Sequence, residues 1–76
     1  KQVIFKLKLK NLIKKFGKKV REVRVEKQMS QGDVARILGV HRSYISGIER
    51  GTRNPSLITI EKIAKALKVD KKDLLQ

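Results

Sequence analysis

The stretch that most constrains this chain is residues 31–49, QGDVARILGVHRSYISGIE, in which one glycine separates two short segments that each carry an apolar face. Gly39 follows the last aliphatic residue of the first segment, where a glycine in the left-handed conformation commonly ends a helix. Ser30 precedes Asp33 at the spacing of a helix N-cap followed by an acidic residue in the first turn. The stretch therefore predicts two short helices joined by a sharp turn.

The apolar positions of this stretch fall on one side of the two predicted helices. Ala35 is small enough for the helices to approach closely. The aliphatic residues predicted to face a common core are Val34, Leu38, Val40, Ile45 and Ile48. Two short helices that pack through such a face and are joined by a glycine turn form a helix-turn-helix.

The remainder of the chain also favours helices. Apolar residues at steps of three and four predict a first helix from about Asn11 to Lys27. Gly51 and the following TRNP predict a turn after the third helix, because the residue before a proline avoids helical geometry. Ser56 and Asp70 are the predicted N-caps of a fourth and a fifth helix. The predicted fold class is therefore all-α with five helices.

Residues 1–10 carry a different pattern, in which VIFKLKLK alternates apolar residues with lysines. This alternation suits a half-buried strand. Three structures are compatible with it: a strand that pairs with its copy in a dimer, an extension of the first helix, or a loose basic arm. We therefore divide the sequence into a basic N-terminal extension, residues 1–10, and a helical domain, residues 11–76.

The composition argues against several classes of function. The chain has no cysteine and one histidine, so we expect no disulfide, no metal site and no cofactor. No apolar run approaches the roughly 20 residues of a membrane span, so we expect a soluble, cytoplasmic protein without a membrane partner. Asp33, His41 and Ser43 are the residue types of a hydrolytic triad, but no oxyanion loop or substrate pocket accompanies them. We predict no catalytic residues and no small-molecule substrate.

The net charge of the chain is the strongest signal in its composition. It has 20 Lys+Arg against 7 Asp+Glu, a formal net charge of +13. Such a charge favours polyanionic partners, and double-stranded DNA is the partner that suits a helix-turn-helix. The lysines of residues 1–19 either form a solvated face or add nonspecific attraction to phosphates.

Four sequence blocks, SQGDVARILGV, SYISGIERG, RNPS and IEKIAKAL, resemble the phage Cro and repressor-like family of bacterial regulators. The resemblance runs from about Phe16 to Leu75, and the stretch from His41 onward is most similar to the controller proteins of restriction-modification systems. It implies a lambda-repressor-like fold and a homodimeric transcriptional regulator that reads two half-sites of a near-palindromic operator.

In a helix-turn-helix the second helix lies in the major groove, and its early residues contact base edges. Arg42 is the leading candidate for base reading, because arginine can donate two hydrogen bonds to guanine. Ser43 and Ser46 are further candidates, and Gly47 is expected to keep the outer face small. Tyr44 is expected to stack on a sugar, to touch a thymine methyl or to support the helix.

The resemblance also implies contacts to the DNA backbone and within the protein. The candidates for backbone contact are Gln31, His41, Gly47, Thr52, Arg53 and Asn54, and Arg53 alternatively reaches a base. Arg24 matches the position that pairs with Glu49 in the family, so these two are expected to form a structural ion pair. The candidates for the dimer contact are Leu57, Ile58, Val69, Leu74 and Leu75.

Two other functions are compatible with the same sequence. An antitoxin of a toxin-antitoxin pair can use this fold for a protein-protein interaction. Alternatively, residues 1–19 form an amphipathic segment that binds a membrane surface, because lysines flank their apolar stripe.

Overall fold

The computed structural model describes residues 2–76 and has five helices in that range. They are α1 (Gln2–Glu26), α2 (Gln31–Leu38), α3 (Arg42–Glu49), α4 (Leu57–Leu67) and α5 (Lys71–Leu75). The described residues contain no strand, so the all-α fold class predicted from the sequence is confirmed.

The ends of the short helices are fixed by local hydrogen bonds. The Ser30 hydroxyl accepts from the backbone N–H of Asp33, and the Asp33 carboxylate accepts from the backbone N–H of Ser30, a reciprocal capping box at α2. Gly39 has a φ of 73° and ends α2 in the left-handed conformation. Ser56 and Asp70 cap α4 and α5 as predicted.

The core is built around α3, which packs against both α1 and α2. α4 packs on α2, and α5 closes the other side against α1 and α4. The buried apolar side chains are Phe16, Val20, Val23, Val34, Ala35, Ile45, Ile48, Ile63, Ala64, Ala66, Leu67 and Leu74. Because Ile45 and Ile48 are almost fully buried, the opposite side of α3 must face solvent.

Gly17 sets the closeness of α1 to α3. A Cβ atom at this position would lie 2.1 Å from the carbonyl oxygen of Ile48, which is far inside contact distance. Only a residue without a side chain allows the middle of α1 to cross the carboxyl end of α3 at this separation. The crossing brings Arg24, two turns further along α1, beside Glu49.

The structure also decides between the alternatives for residues 1–10. From Gln2 onward these residues extend α1, and Lys1 lies outside the described range. A helix of 25 residues is about 38 Å long, which accounts for the 40 Å long axis of the molecule. The predicted start of the first helix near Asn11 is therefore wrong by nine residues.

One predicted core residue lies outside the core. Val40 is 37% exposed, because it lies in the turn after Gly39 and is not part of α3. Its backbone N–H donates to the carbonyl of Ala35. Leu38 is partly buried against the core, as the helix-turn-helix packing requires.

Candidate nucleic-acid interface

The outward side of α3 is formed by three polar residues near its amino end. Arg42 and Ser43 are exposed, and Ser46 is half-buried one turn later. These positions lie opposite Ile45 and Ile48, so packing of the core fixes their direction. Three of the four side chains predicted to read bases, Arg42, Ser43 and Ser46, therefore share one face, and its small hydroxyl groups leave room for a close approach to a duplex.

Gly47 lies off this outward face, and its contact with the DNA backbone stays a prediction. It is buried, and a Cβ atom there would lie 2.7 Å from Cγ of Arg53 and 3.3 Å from Oγ1 of Thr52. The Gly47 carbonyl accepts hydrogen bonds from the backbone N–H and the hydroxyl of Thr52. Gly47 therefore allows the loop after α3 to fold back onto the helix.

Tyr44 supports this loop. Its side chain is partly buried against the core, and the guanidinium of Arg53 lies 5.7 Å from the centre of its ring. This distance allows a cation-π interaction. Thr52, Arg53 and Asn54 are all exposed. The loop thus carries three exposed polar side chains, and the guanidinium of Arg53 lies over the ring of Tyr44 on α3.

The expected pairing of Arg24 with Glu49 is present as a two-pronged ion pair. Nε of Arg24 lies 2.6 Å from one carboxylate oxygen of Glu49, and Nη2 lies 3.0 Å from the other. Their side chains are only 11% and 3% exposed. The hydrogen bond to Glu49 raises the pKa of Arg24. Because Arg24 also donates to the carbonyl of Met29, the pair joins α1, the loop after it and α3.

Gln31 extends this ion pair to the outward face. Its Nε2 donates to a carboxylate oxygen of Glu49 at 3.1 Å, and its Oε1 accepts from Nη1 of Arg42 at 3.0 Å. The position of Gln31 in the sequence predicts only a contact to a DNA phosphate, and its hydrogen bonds to Glu49 and Arg42 were not predicted. A signal was available, because Gln31 and Arg42 each occupy the first position of adjacent helices. A continuous set of hydrogen bonds now runs from Arg24 to Arg42, and we call it the Arg24–Arg42 relay.

His41 caps the amino end of α3. Its Nδ1 accepts from the backbone N–H of Ser43 at 3.1 Å, and the Ser43 hydroxyl lies 2.9 Å from the same nitrogen. The side chain of His41 is exposed, on the same end of the helix as Arg42. The amino end of α3 therefore presents a histidine, an arginine and a serine together.

The residues predicted for a dimer contact divide into two groups. Leu57, Ile58 and Leu75 are strongly exposed, at 82%, 69% and 55%. Leu74 is only 1% exposed in the core of its own protomer, because α5 packs on α1 and α4. Its contribution to a dimer contact stays a prediction, which burial of Leu74 within its own protomer does not favour. Val69 is partly buried against the same core.

Two other features bear on function. Within residues 2–76 no three His, Cys, Asp or Glu side chains are placed to hold a metal ion. Across the same range, no helix combines the length and the apolar character that a membrane crossing requires.

Comparison with known proteins gives a consistent result. A family model described as helix-turn-helix matches residues 20–74. Control protein C.BamHI of Bacillus amyloliquefaciens is 61% identical over 61 residues, which are 79% of this chain and 75% of that protein.

Solved structures agree with this match. The crystal structure of the restriction-modification controller protein C.AhdI from Aeromonas hydrophila is 45% identical, with a TM-score of 0.79 over 82% of this chain and 94% of that chain. The controller protein C.Esp1396I, solved as a tetramer in complex with its natural 35 base-pair operator, is 36% identical. Its TM-score is 0.73 over 86% of this chain and 96% of that chain.

Proposed function

The chain belongs to the helix-turn-helix family, and from this membership we propose that it is a sequence-specific transcriptional regulator of the restriction-modification controller type. It binds a near-palindromic operator as a homodimer, with one half-site for each protomer. The similarity to control protein C.BamHI and to the structure of C.AhdI supports this assignment.

The observation that carries the proposal is the outward face of α3. Arg42, Ser43 and Ser46 lie on one side of a helix whose opposite side is locked into the core. Inserted in the major groove, Arg42 donates to O6 and N7 of a guanine, and the two hydroxyl groups contact neighbouring base edges. Tyr44 is assigned to supporting Arg53, because its ring is partly buried beneath that guanidinium.

Contacts to phosphate are assigned to the exposed polar residues on either side of α3. His41 lies at its amino end, and Thr52, Arg53 and Asn54 lie in the loop after its carboxyl end. Gln31 is half-buried at the amino end of α2, where backbone N–H groups and the helix dipole attract an anion. These contacts set the position of the reading helix on the duplex, and the base contacts supply specificity.

The dimer contact is assigned to the exposed apolar residues of α4 and α5, Leu57, Ile58 and Leu75. The relative C.Esp1396I assembles as a tetramer on its 35 base-pair operator. By analogy, two dimers of the present protein occupy adjacent operators. We take residues 11–76 as the DNA-binding domain and residues 1–10 as a basic N-terminal extension.

The other candidate functions have less support. The relatives reported above are controller proteins, which does not favour an antitoxin. Nothing in the geometry calls for catalysis, and we propose that the protein is not an enzyme. Because its proposed target is DNA, we assign it to the cytoplasm.

Selection of bound duplexes from a random oligonucleotide pool tests the proposal. We expect a near-palindromic consensus whose half-sites are about one helical turn apart and contain a guanine that Arg42 recognises. The Arg42→Ala variant should lose preference at that one position and retain its preferences elsewhere. Recovery of no consensus, or equal weakening on all sequences in the variant, would contradict the assignment.

A further inference from the structure

The first turns of α1 carry an apolar surface that nothing in the described chain covers. We call residues 3–12 the leading segment. Its exposed large apolar side chains, each at least 42% exposed, are Val3, Ile4, Phe5, Leu7, Leu9 and Leu12. Exposed apolar groups gathered on one short segment are typical of an interaction surface.

An apolar groove lies beside the leading segment. It has a volume of about 450 Å³ between α1 on one side and the start of α4 and the end of α5 on the other. Leu9, Leu12 and Phe16 form one wall, and Leu57 and Leu75 form the other. The groove has no charged residue in its lining, and Asn54 is its one polar residue. Its occupant must therefore be apolar, which argues against an acidic peptide or a nucleic acid.

We propose that the leading segment of a second copy of this chain occupies the groove, and that the two copies exchange segments about a two-fold axis. Phe5, Leu9 and Leu12 follow the i, i+4, i+7 spacing of a helical stripe. Two such stripes packed antiparallel, with Leu9 near the axis, bring Phe5 of each copy beside Leu12 and Leu57 of its partner. An interface of this kind is self-complementary, as two-fold symmetry requires.

The apolar area that the dimer must bury favours this occupant. The inference rests on the homodimer of the proposed function, in which each copy carries a net charge of +13, so burial of apolar area must outweigh the repulsion between the copies. Exposed apolar groups on α4 and α5 are limited to Leu57, Ile58 and Leu75. Three side chains give only a few hundred Å², whereas a stable interface buries about 800 Å² per partner. The leading segment contributes the missing area and is continuous with the α4–α5 face through Leu57 and Leu75.

The lysines of the leading segment are compatible with this packing. Lys6, Lys8 and Lys10 are exposed and are interleaved with the apolar residues. Long lysine side chains can lay their methylene groups along an apolar contact and keep the ammonium in water. The interface thus buries the apolar stripe while the ammonium groups of the three lysines stay in water.

Sedimentation of the Phe5→Gln/Leu9→Gln variant tests the inference. Both residues are exposed in the protomer, so the helical fold should be retained. We expect the dissociation constant of the dimer to rise at least about tenfold, because two apolar side chains per copy lose their burial. A matched control is Val25→Gln/Ile37→Gln, which replaces apolar residues of similar exposure away from the groove. Equal dimer stability in wild type and the Phe5/Leu9 variant would overturn the inference, as would a wild type that is monomeric at tens of micromolar.

A covalent test locates the contact. The chain has no cysteine, so Leu9→Cys carries a single thiol. We expect it to oxidise to a disulfide-linked dimer, whereas Val25→Cys stays unlinked under the same conditions. Failure of Leu9→Cys to link while the wild type dimerises would place the interface elsewhere.

Binding to DNA separates this inference from the proposed function. A single half-site duplex should bind the Phe5→Gln/Leu9→Gln variant as tightly as the wild type, and the full operator should bind it more weakly. If the wild type shows no sequence preference, the proposed function fails, and the dimer measurement still decides the inference.

Discussion

Oε1 of Gln31 accepts a hydrogen bond from Nη1 of Arg42 at 3.0 Å, while its Nε2 donates to Glu49 at 3.1 Å. The arginine proposed to read a base is thereby joined to an ion pair that is nearly excluded from solvent. Holding a long side chain in one geometry before binding reduces the ordering entropy that binding must otherwise overcome. The Arg24–Arg42 relay thus joins an ion pair that stabilises the fold to the position of Arg42 on the outward face of α3.

Replacement of Gln31 by alanine is expected to weaken binding to the operator about three- to tenfold, because Arg42 must then be ordered on binding. The measurement is the dissociation constant of a half-site duplex for Gln31→Ala, Arg42→Ala and the double variant. The penalty of Gln31→Ala should shrink when Arg42 is already absent. Additive penalties would show that Gln31 acts on phosphate alone.

Replacement of Arg24 by alanine is expected to destabilise the fold by about 3 kcal/mol, because Glu49 is left buried without its partner. The Tm should fall by more than about 10 °C in a chain of this size. Arg21→Ala is the matched control, since Arg21 is exposed on the same helix and its loss should change stability by less than about 0.5 kcal/mol. Similar melting of the two variants would exclude a structural role for the pair.

Replacement of Gly17 by alanine should destabilise the protein by about 2 kcal/mol, although alanine is the better helix former. The added Cβ would lie 2.1 Å from the backbone oxygen of Ile48, so the two helices must separate. Gly32→Ala is the control, because the nearest atoms there are side-chain atoms at 3.5 and 3.6 Å. Chemical unfolding should find this second variant equal to or more stable than the wild type, and a loss in both would contradict the argument.

Replacement of Gly47 by alanine should separate stability from DNA binding. The new Cβ meets only side-chain atoms, of Arg53 at 2.7 Å and of Thr52 at 3.3 Å, and these can rotate away. Stability should therefore change by less than about 1 kcal/mol. If displaced Arg53 loses its phosphate, the log-log salt slope of binding flattens by about 1. If the salt slope and the affinity for the operator are both unchanged, Arg53 does not contact a phosphate.

Protonation of the Asp33 carboxylate is expected to lower the free energy of unfolding in acid. The backbone N–H of Ser30 is the main cause of its lowered pKa, and the Ser30 hydroxyl and Arg36 act in the same direction. Because the pKa in the folded state lies below the unfolded value of about 3.9, this stabilisation is present above that value. It is lost as pH falls through the folded pKa.

Urea unfolding at neutral pH and near pH 3 measures this effect. The difference in unfolding free energy between wild type and Asp33→Asn should be largest at neutral pH and should shrink in acid. Ser30→Ala keeps the backbone donor and should retain most of the pH dependence. A difference that does not vary with pH would exclude the carboxylate as its source.

The parts of the fold that depend on neighbours in sequence could be predicted. Ser30 with Asp33, Gly39 and Ser56 act within one turn of their own helices, so their residue types are sufficient. The leading segment was ambiguous because its apolar residues fit both a period of two and the helical spacing of Phe5 and Leu9. The segment is helical because it is continuous with the rest of α1, and the pattern of residues 1–10 alone does not show this continuity.

The features that sequence reasoning missed depend on distances between elements. In the sequence, Gly17 is a residue that lowers the stability of a helix, and only the crossing of α1 over α3 shows why a glycine is required there. Gly47 falls on a polar stretch, yet the loop after α3 returns to cover it. Leu74 and Leu75 are identical in type and adjacent, and only the packing of α5 makes one buried and the other exposed.

Because α3 packs against both α1 and α2, the reading helix has a set direction relative to the rest of the protomer. Two such protomers related by a two-fold axis hold their reading helices at a fixed distance from each other along the duplex. One base pair inserted between half-sites rotates one of them by about 34° around the DNA axis. Operators of this protein are therefore expected to vary in their bases while keeping a constant spacer.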